Sequence, residues 1–263
     1  SRRLIMAAFP LVSVMVITYN QKDFIHETIQ SVLEQDYSNI EYIIADDGSS
    51  DGTAEIIDDY AKEYPNKIIA IIKQYNVGIT KNSNRALAKC KGKYIALQGG
   101  DDVFLPGKVR KQVEWLETDP DRTICGHYLK VCNHESKITG YLVNDHYLGR
   151  GPRAWIEKGT IYGATSVMIR SSRIPKYGFD ERMPIVSDWK LYIDSLVDNS
   201  IFGCLPEYLG VYRKHSNNIT NIKEPIMRDA QKTLNLVEEE LPQFKLSVRI
   251  GRAYILKYGS GIN

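Results

Sequence analysis

The first hundred or so residues alternate between short apolar runs and amphipathic segments, and this alternation limits the fold more than any other feature. Each apolar run is short and rich in β-branched side chains, a pattern typical of strands covered on both faces. Between the runs, apolar residues recur at helical spacing. Alternating strands and helices predict a parallel sheet with right-handed crossover connections. Strands are predicted at residues 11–18, 40–45, 68–72 and 94–97, and helices at 22–34, 54–63 and 80–90.

Polar side chains cluster just after the predicted strands. Because parallel strands direct their carboxyl ends to one edge of a sheet, these side chains should converge there, where open α/β sheets bind ligands. The sequence contains no G-x-x-x-x-G-K-[ST] loop, and no G-x-G-x-x-G follows the first strand. Neither ATP hydrolysis nor dinucleotide binding is therefore favoured. The groups that follow the strands are Tyr19, Asp46, Asp47, Lys81, Asn84, Asp101 and Asp102.

The fourth predicted strand runs into two glycines and two adjacent acids, in the segment YIALQGGDDVFLPGKV at residues 94–109. The carboxylates of Asp101 and Asp102 are hard oxygen ligands that suit Mg²⁺ or Mn²⁺ beside a phosphate. Adjacent acids are also frequent at capped turns, which is the alternative interpretation. Tyr19 could stack on a base and Asp47 could accept an imide N–H. Alternatively, Tyr19 packs within its loop and the segment Asp46 to Asp51 only caps a helix.

Composition argues against several classes of function. The chain has 263 residues and a formal net charge of +2, which provides no general attraction for nucleic acid. Its four cysteines are far apart and form no C-x-x-C pair, so neither a zinc site nor a disulfide framework is expected. No apolar run approaches the roughly 20 residues that span a bilayer, and we expect no signal peptide in the first residues. A cytoplasmic protein, soluble or attached to a surface, is therefore expected.

Four segments together resemble the family 2 glycosyltransferases, which have the GT-A fold. The resemblance covers about residues 11–215 and is carried, in order, by VSVMVITYN, EYIIADDGSSDGT, NVGITKNSNRAL and LQGGDDVFLPGKV. It implies an α/β, Rossmann-like nucleotide-diphospho-sugar transferase fold. Such a fold has a mostly parallel central sheet with a small antiparallel part, here followed by a C-terminal helical tail.

The resemblance also implies a role for each motif. Tyr19 packs on the uracil of a UDP-sugar, Asp47 accepts a hydrogen bond from the uracil N3–H, and Asp46 supports their loop. Asp102 carries the metal and Asp101 faces the ribose or the donor sugar. Many relatives read D-A-D-D where this chain reads G-G-D-D, which removes one acid. The other donor-binding positions that the motifs imply are Thr18, Asn20, Lys81 and Asn84.

Two later segments carry further parts of the resemblance. MPIVSDWKLYIDSL is similar to the family's E-D-W pattern, in which the aspartate is the catalytic base, and this role falls on Asp188 with Ser187 in place of glutamate. A single base implies direct displacement with inversion at the anomeric carbon. Asp188 could also be a charge that stabilises a helix N-terminus. In VYRKHSNN, similar to the family's R-x-H segment, Arg213 is a phosphate partner and His215 a metal or phosphate contact, although a lone histidine is often structural.

After the paired acids, the sequence changes from buried strands to alternation and turns. These patterns predict a helix at 108–117, antiparallel strands at 123–132 and 138–143, a short helix within 150–159, and a strand at 166–170. The domain boundaries that follow are a catalytic domain at 1–223, with a donor-binding half at 11–105 and an acceptor-binding half at 106–223, and a helical extension at 224–263.

The extension contains two predicted helices, at 226–241 and 244–258. The second is basic and amphipathic, and Lys245, Arg249 and Arg252 share one stripe of it. Such a helix can lie on an anionic membrane surface, with contact expected at 243–258. It could equally pack on the catalytic domain or on a second subunit of a homodimer.

The function expected is transfer of one sugar, hexosyl or N-acetylhexosaminyl, from a UDP-sugar with Mn²⁺ or Mg²⁺ as cofactor. The acceptor would be a hydroxyl of a glycan or of a polyprenyl-diphosphate-linked oligosaccharide in O-antigen or capsule synthesis, at the inner face of the cell membrane. The Q-x-x-R-W pattern of processive synthases is absent, which favours single addition. Two alternatives are a nucleotidyltransferase acting on a sugar phosphate and a sugar-nucleotide binding module without catalysis.

Overall fold

The computed structural model describes residues 9–144 and 148–259. The predicted order of strands and helices is confirmed, and the boundaries agree within a few residues. The strands are β1 (Val12–Thr18), β2 (Ile40–Asp46), β3 (Ile68–Ile72), β4 (Tyr94–Gly99), β5 (Val103–Phe104), β6 (Arg122–Cys132), β7 (Ile138–Leu142), β8 (Leu148–Arg150), β9 (Met168–Arg170) and β10 (Ile201–Arg213). The helices are α1 (Lys22–Leu33), α2 (Thr53–Glu63), α3 (Ile79–Leu87), α4 (Lys108–Glu117), α5 (Arg153–Lys158), α6 (Asp188–Ser195), α7 (Lys223–Glu240) and α8 (Lys245–Tyr258).

These strands join one mixed sheet in the order β3-β2-β1-β4-β9-β6-β10-β5. β3, β2, β1 and β4 are parallel neighbours, as the alternation predicts. β9 runs antiparallel to both β4 and β6, and so joins this half to the long parallel pair of β6 and β10. The predicted antiparallel pairing of β6 with β7 is also confirmed. The sheet is mostly parallel with a small antiparallel part.

Alternate residues of β1 enter the two core layers on opposite faces of the sheet. Val14 and Val16 pack with apolar residues of α1, α2 and α4, whereas Met15 packs with residues of α3, α5 and α6. Each such aliphatic side chain contributes about 1.5–3 kcal/mol when it is fully buried. Helices therefore cover both faces, and the carboxyl ends of the strands remain open for a ligand.

The C-terminal helices pack on the preceding part of the chain. α8 lies against α5 and α7, with Val248 and Ile255 buried. A β-carbon on Gly251 would lie 2.3 Å from the carbonyl oxygen of Ile156, so only glycine permits this close approach to α5. The inner face of α8 therefore packs within this chain, against α5 and α7. Within the described ranges, no helix combines the length and apolar character needed to cross a membrane.

Candidate active site

A cavity of about 620 Å³ opens at the carboxyl ends of β1 and β4. It lies between these strands, the segment before α6 and the loop after β10, and reaches Ile226 of α7. Among the predicted site residues, those that line it are Thr18, Tyr19, Asp47, Asp101, Asp102 and Asp188. Those outside its lining are Asn20, Asp46, Lys81, Asn84, Arg213 and His215.

Of the two acids at the end of β2, Asp46 stabilises the following turn and Asp47 lines the cavity. Asp46 is fully buried and its carboxylate accepts the backbone N–H of Ser49 at 2.9 Å, which stabilises the turn. Asp47 faces the cavity and accepts the N–H groups of Val77 and Gly78, both at 2.9 Å. Asp47 therefore fixes the loop before α3 while keeping lone pairs available to a ligand.

The loop after β1 exposes the ring of Tyr19, and the next residue, Asn20, contacts the loop after β2. Tyr19 is 49% exposed and lies at the cavity. Asn20 adopts a φ of 51°, and its side-chain oxygen accepts the backbone N–H of Ser50 at 2.9 Å. Asparagine is among the few residues that tolerate this left-handed backbone conformation. Asn20 thus holds the loop after β2 in place, and Tyr19 is left free to cover a ligand.

The two glycines at the end of β4 are required by close packing. A β-carbon on Gly100 would lie 2.1 Å from Oε1 of Gln21 and 2.9 Å from Oγ1 of Thr18. A β-carbon on Gly99 would lie 2.8 Å from Oδ2 of Asp102. An acidic side chain at Gly99 would therefore need the carboxylate of Asp102 to move.

Asp102 is buried and both of its carboxylate oxygens have partners. Oδ2 accepts the hydroxyl of Thr165, and Oδ1 accepts the backbone N–H of Arg213 at 2.9 Å. Burial, together with the adjacent charge of Asp101, raises the pKa of Asp102 well above its ordinary value. A cation at this place would favour its ionised form.

Arg213 lies beneath the two acids and not in the cavity. Its guanidinium, almost fully buried, pairs with Glu27 at 2.6 Å and donates to the carbonyl of Asp101 at 3.0 Å. Its Nη1 donates toward the carbonyl oxygens of Asn133 and His134 and the hydroxyl of Ser136. The geometry therefore gives Arg213 the task of fixing the acidic turn, whereas the resemblance implies a direct phosphate contact.

His215 follows β10 and contacts the first acid. Its Nε2 lies 2.8 Å from Oδ2 of Asp101, and its ring packs on Phe24 at 4.9 Å between centroids. Asn218 joins the same group, because its amide nitrogen lies 3.5 Å from Oδ2 of Asp101. The loop after β10 is thereby attached to the carboxylates at the end of β4.

The described residues contain no group of three or more His, Cys, Asp or Glu side chains arranged to hold a metal ion. Mg²⁺ is, however, commonly held by one or two carboxylates together with substrate phosphates. Asp101 and Asp102 present two such carboxylates beside the cavity. This donor set fits a divalent ion that is shared with a diphosphate.

The third motif places different residues at the cavity from those expected. Asn84 holds the segment before α6, since its side chain donates to the carbonyl of Phe179 at 2.8 Å and accepts its N–H at 2.9 Å. Lys81 is exposed on the outer face of α3. The two residues between Lys81 and Asn84 in the sequence, Asn82 and Ser83, line the cavity instead.

Asp188 is the first residue of α6 and opens onto the cavity. Its Oδ1 accepts the backbone N–H of Trp189 at 2.9 Å. Burial among neighbouring groups raises the pKa of Asp188 to about 6. A carboxylate with this pKa is largely ionised at neutral pH and yet basic enough to take a proton from a hydroxyl.

Comparison with known proteins decides the family. The sequence profile described as "Glycosyl transferase family 2" matches residues 13–176. The chain belongs to glycosyl transferase family 2. Proteins of Mycobacterium tuberculosis share 33% identity with it over 210 residues, covering 79% of the chain, and the chain spans about 60% of their length.

Other glycosyltransferases and solved structures resemble parts or most of the chain. WfaP of Escherichia coli, a UDP-Glc:α-D-GlcNAc-diphosphoundecaprenol β-1,3-glucosyltransferase, is 41% identical over 109 residues, which are 41% of this chain and 42% of WfaP. The structure of S. aureus TarS residues 1–349 with UDP-GlcNAc superposes with a TM-score of 0.72 at 15% identity, over 94% of this chain and 73% of that one. The Pyrobaculum calidifontis mannosyltransferase PcManGT, solved with GDP-Man and Mn²⁺, gives 0.68 at 18% identity, over 95% and 71%. These structural likenesses establish the GT-A fold.

Several residues of this family 2 site were not expected from the sequence. Thr165 bonds Asp102 and also accepts the N–H of Gly99 at 3.2 Å. Arg85 lies 3.5 Å from Asp47. Gln21 lines the cavity directly after the predicted Tyr19-Asn20 pair, so its proximity in sequence was a usable signal. Thr165 lies in a short 3₁₀ helix, Ala164–Ser166, and belongs to none of the motifs that carry the resemblance.

Proposed function

We propose that this family 2 member transfers one sugar from a UDP-sugar to a hydroxyl of a glycan or lipid-linked oligosaccharide, with inversion at the anomeric carbon. The observation that carries the proposal is the position of Asp188. Its carboxylate opens into the same cavity as Tyr19, Asp47 and the Asp101–Asp102 pair. One cavity thus joins the parts that such a transfer needs: a nucleotide site, a place for a diphosphate and a base.

The nucleotide would lie at the end of β1 and β2. Tyr19 would cover the uracil ring, and Asp47 would accept its N3–H with the lone pairs that Val77 and Gly78 leave free. The UDP-GlcNAc bound to TarS and the UDP-Glc in the name of WfaP support a UDP-sugar as donor.

A divalent ion, Mn²⁺ or Mg²⁺, would be held by Asp102 with the diphosphate, and would offset the charge on departing UDP. Asp101 and His215 would complete its surroundings, and Arg213 would hold the acidic turn through its contacts to the carbonyl of Asp101 and to Glu27. The Mn²⁺ named with GDP-Man in the PcManGT structure supports a divalent ion as cofactor.

Asp188 would act as the base. Its carboxylate would take the proton of the acceptor hydroxyl while the oxygen attacks the anomeric carbon and the bond to UDP breaks on the opposite face. Because attack and departure occur on opposite faces in one step, no enzyme nucleophile is required. The acceptor would enter along Leu129, Leu142 and Ile226, which also line the cavity.

The domain assignment follows the same division. Residues 11–105 would bind the donor, 106–223 the acceptor, and 224–263 would form the extension. A hexosyl or N-acetylhexosaminyl group is the proposed cargo, and a role in O-antigen or capsule synthesis would suit the polyprenyl-diphosphate acceptor that the name of WfaP indicates.

A panel of nucleotide sugars, tested with Mn²⁺ and a mixture of synthetic lipid-linked acceptors, examines the proposal. We expect the wild type to release UDP only when acceptor is present. Asp188→Asn should release no UDP but should still bind it. Release of pyrophosphate from a nucleoside triphosphate and a sugar phosphate would instead indicate a nucleotidyltransferase. Tight UDP-sugar binding without turnover across the panel would favour the binding module.

The outer face of α8 is proposed as a contact with an anionic membrane at the cytoplasmic side of the cell. Leu246 and Leu256 are 67% and 81% exposed, and Lys245 and Arg249 are exposed beside them. Arg252, which the sequence placed on the same stripe, turns instead to Glu238 of α7 at 2.7 Å. Apolar and basic side chains on one exposed face suit an anionic lipid surface.

Vesicle flotation tests this contact. The wild type should float with phosphatidylglycerol-containing vesicles and not with phosphatidylcholine alone, and the double variant Leu246→Ser/Arg249→Glu should stay unbound. Lys232→Glu, an exposed site on α7, is the control. Equal vesicle binding by the wild type and the double variant would contradict the membrane contact. A wild-type dimer that the double variant disrupts and Lys232→Glu does not would also contradict it, because this face of α8 would then bind a second subunit.

A further inference from the structure

The segment 183–187, which leads directly into Asp188, is held from two sides. On one side, Thr80 of α3 donates its hydroxyl to the carbonyl of Met183 at 2.5 Å and lies 2.9 Å from the hydroxyl of Ser187. The backbone N–H of Thr80 also donates to the carbonyl of Pro184 at 3.3 Å. The donor-binding half of the chain therefore fixes this segment at both of its ends.

On the other side, a carboxylate of the C-terminal extension reaches the middle of the same segment. Asp229 of α7 is 2% exposed, and its Oδ2 accepts the backbone N–H groups of Ile185 at 2.7 Å and Val186 at 3.0 Å. A buried carboxylate is costly unless hydrogen bonds satisfy it, so Asp229 and these two amides stabilise each other strongly.

A second set of contacts joins α7 to α6 itself. Lys190, almost fully buried on α6, pairs with Glu240 at the end of α7 at 2.7 Å. Arg182, just before segment 183–187, pairs with the same Glu240 at 2.9 Å. Glu240 of α7 therefore forms ion pairs with the polypeptide both before and after Asp188.

Segment 183–187 is part of the cavity wall. Pro184, Ile185, Val186 and Ser187 line the cavity together with Asp188, and Ile226 of α7 lines it beside them. A shift of Ile185 and Val186 would move the base relative to a bound sugar. A misplacement of about 1 Å at a reacting group can lower a rate about 100-fold.

We infer that Asp229 is a positioning residue for Asp188, and that the C-terminal extension thereby completes the active site. This inference rests on the proposed function, in which Asp188 is the base. Neither residue lies in the part of the chain matched by the family profile, which ends at residue 176. The extension is accordingly more than an appendage of the 1–223 domain: it supplies one side of the support for the catalytic carboxylate.

The chain offers a graded pair of substitutions. Asp229→Ala removes the acceptor from both amides. Asp229→Asn keeps one oxygen of the same shape, and because both hydrogen bonds go to a single oxygen, the amide can preserve both. Glu239→Ala, an exposed acid on the same helix, is the matched control.

The experiment uses the full chain with the donor identified by the panel. For each variant, kcat and the donor KM are measured, and rates are normalised to the fraction of protein that binds UDP. We expect Asp229→Ala to lower the normalised kcat about 10- to 100-fold with donor KM and UDP affinity within about twofold of wild type. Asp229→Asn should recover most of kcat, and Glu239→Ala should match the wild type.

An unchanged normalised kcat in Asp229→Ala, with Asp188→Asn inactive, would overturn the positioning role and leave the base assignment standing. A loss in Asp229→Ala explained wholly by the reduced UDP-binding fraction would also overturn it, because that is the result of a purely structural role. If Asp229→Ala does not fold, a normalised kcat of Asp229→Glu equal to wild type would overturn it, since the longer side chain displaces segment 183–187. Retained transfer in Asp188→Asn would instead refute the proposed base itself.

Discussion

Nε2 of His215 lies 2.8 Å from Oδ2 of Asp101, although 114 residues separate them in the sequence. This contact attaches the loop after β10 to the acidic turn, so a change at His215 should loosen the surroundings of the proposed metal. We expect His215→Ala to weaken the apparent affinity for Mn²⁺ in the transfer assay about 10- to 100-fold, the usual effect of removing a group that orients metal ligands. The measurement is a metal titration at fixed donor and acceptor.

His134→Ala provides the control for that titration. The ring of His134 also contacts Phe24, at 5.0 Å between centroids. Its largely exposed side chain pairs with Asp23 at 3.7 Å and not with Asp101 or Asp102. Its Mn²⁺ dependence should equal that of the wild type. Equal metal dependence in His215→Ala and the wild type would refute the role given to His215.

The pKa of Asp188, raised to about 6 by burial, sets the expected pH dependence of transfer. A base must be ionised to accept a proton, so kcat should rise about tenfold per pH unit below pH 6 and become level above it. Asp188→Asn should lower kcat at neutral pH by about 10²- to 10⁴-fold and abolish the rising limb of the pH profile below pH 6. UDP release measured between pH 5 and 8 checks both, and a limb that persists in the variant would point to another base.

Local sequence patterns were sufficient to predict β1 to β4 and α1 to α3, because each of these strands and helices has its own hydrophobic period. The positions after β1, β2 and β4 were predictable for the same reason: a parallel strand fixes where its last residues lie. Thr18, Tyr19, Asp47 and Asp102, which follow these strands, all line the cavity.

The side chains that depend on distant partners could not be predicted in this way. The sequence placed Lys81 and Asn84 with the donor, but Asn84 turns to Phe179, 95 residues away, and Lys81 faces solvent. Asp229 was outside every motif, and its contact with Val186 spans 43 residues. Which face of a helix meets a given loop is decided by tertiary packing, and a local period does not contain that information.

Tyr19 offers a direct test of the nucleotide site. Removing its ring in Tyr19→Ala should weaken UDP binding about 5- to 150-fold, since base–aromatic stacking contributes about 1–3 kcal/mol. Tyr19→Phe should bind UDP nearly as well as the wild type, because the ring is retained. Calorimetric titration with UDP measures both variants. Tyr75→Ala, at an exposed tyrosine outside the cavity lining, is the control, and an equal loss in that variant would contradict the assignment.

Lys108 leads to a prediction about stability. The side chain is fully buried at the start of α4, where Nζ donates to Oε1 of Gln112 at 2.5 Å and lies 4.4 Å from the centroid of the Phe104 ring. Burial lowers the pKa of Lys108 to about 7. In the unfolded chain a lysine keeps a pKa of about 10.4. Between these values the unfolded state binds more protons, so this residue makes stability increase as pH rises from about 7 toward 10, and its full cost is present below pH 7.

Lys108→Met should therefore raise Tm at pH 6–7, by about 2–4 °C for each kcal/mol gained, and the advantage should shrink toward pH 10. The gain is expected because methionine removes the buried charge at similar volume, although the bond to Gln112 is lost. Calorimetry across this pH range provides the measurement, and Lys111→Met, on the partly exposed side of α4, should show no such trend. A Tm below that of the wild type at every pH would mean that the contacts of the ammonium group with Gln112 and Phe104 outweigh its desolvation.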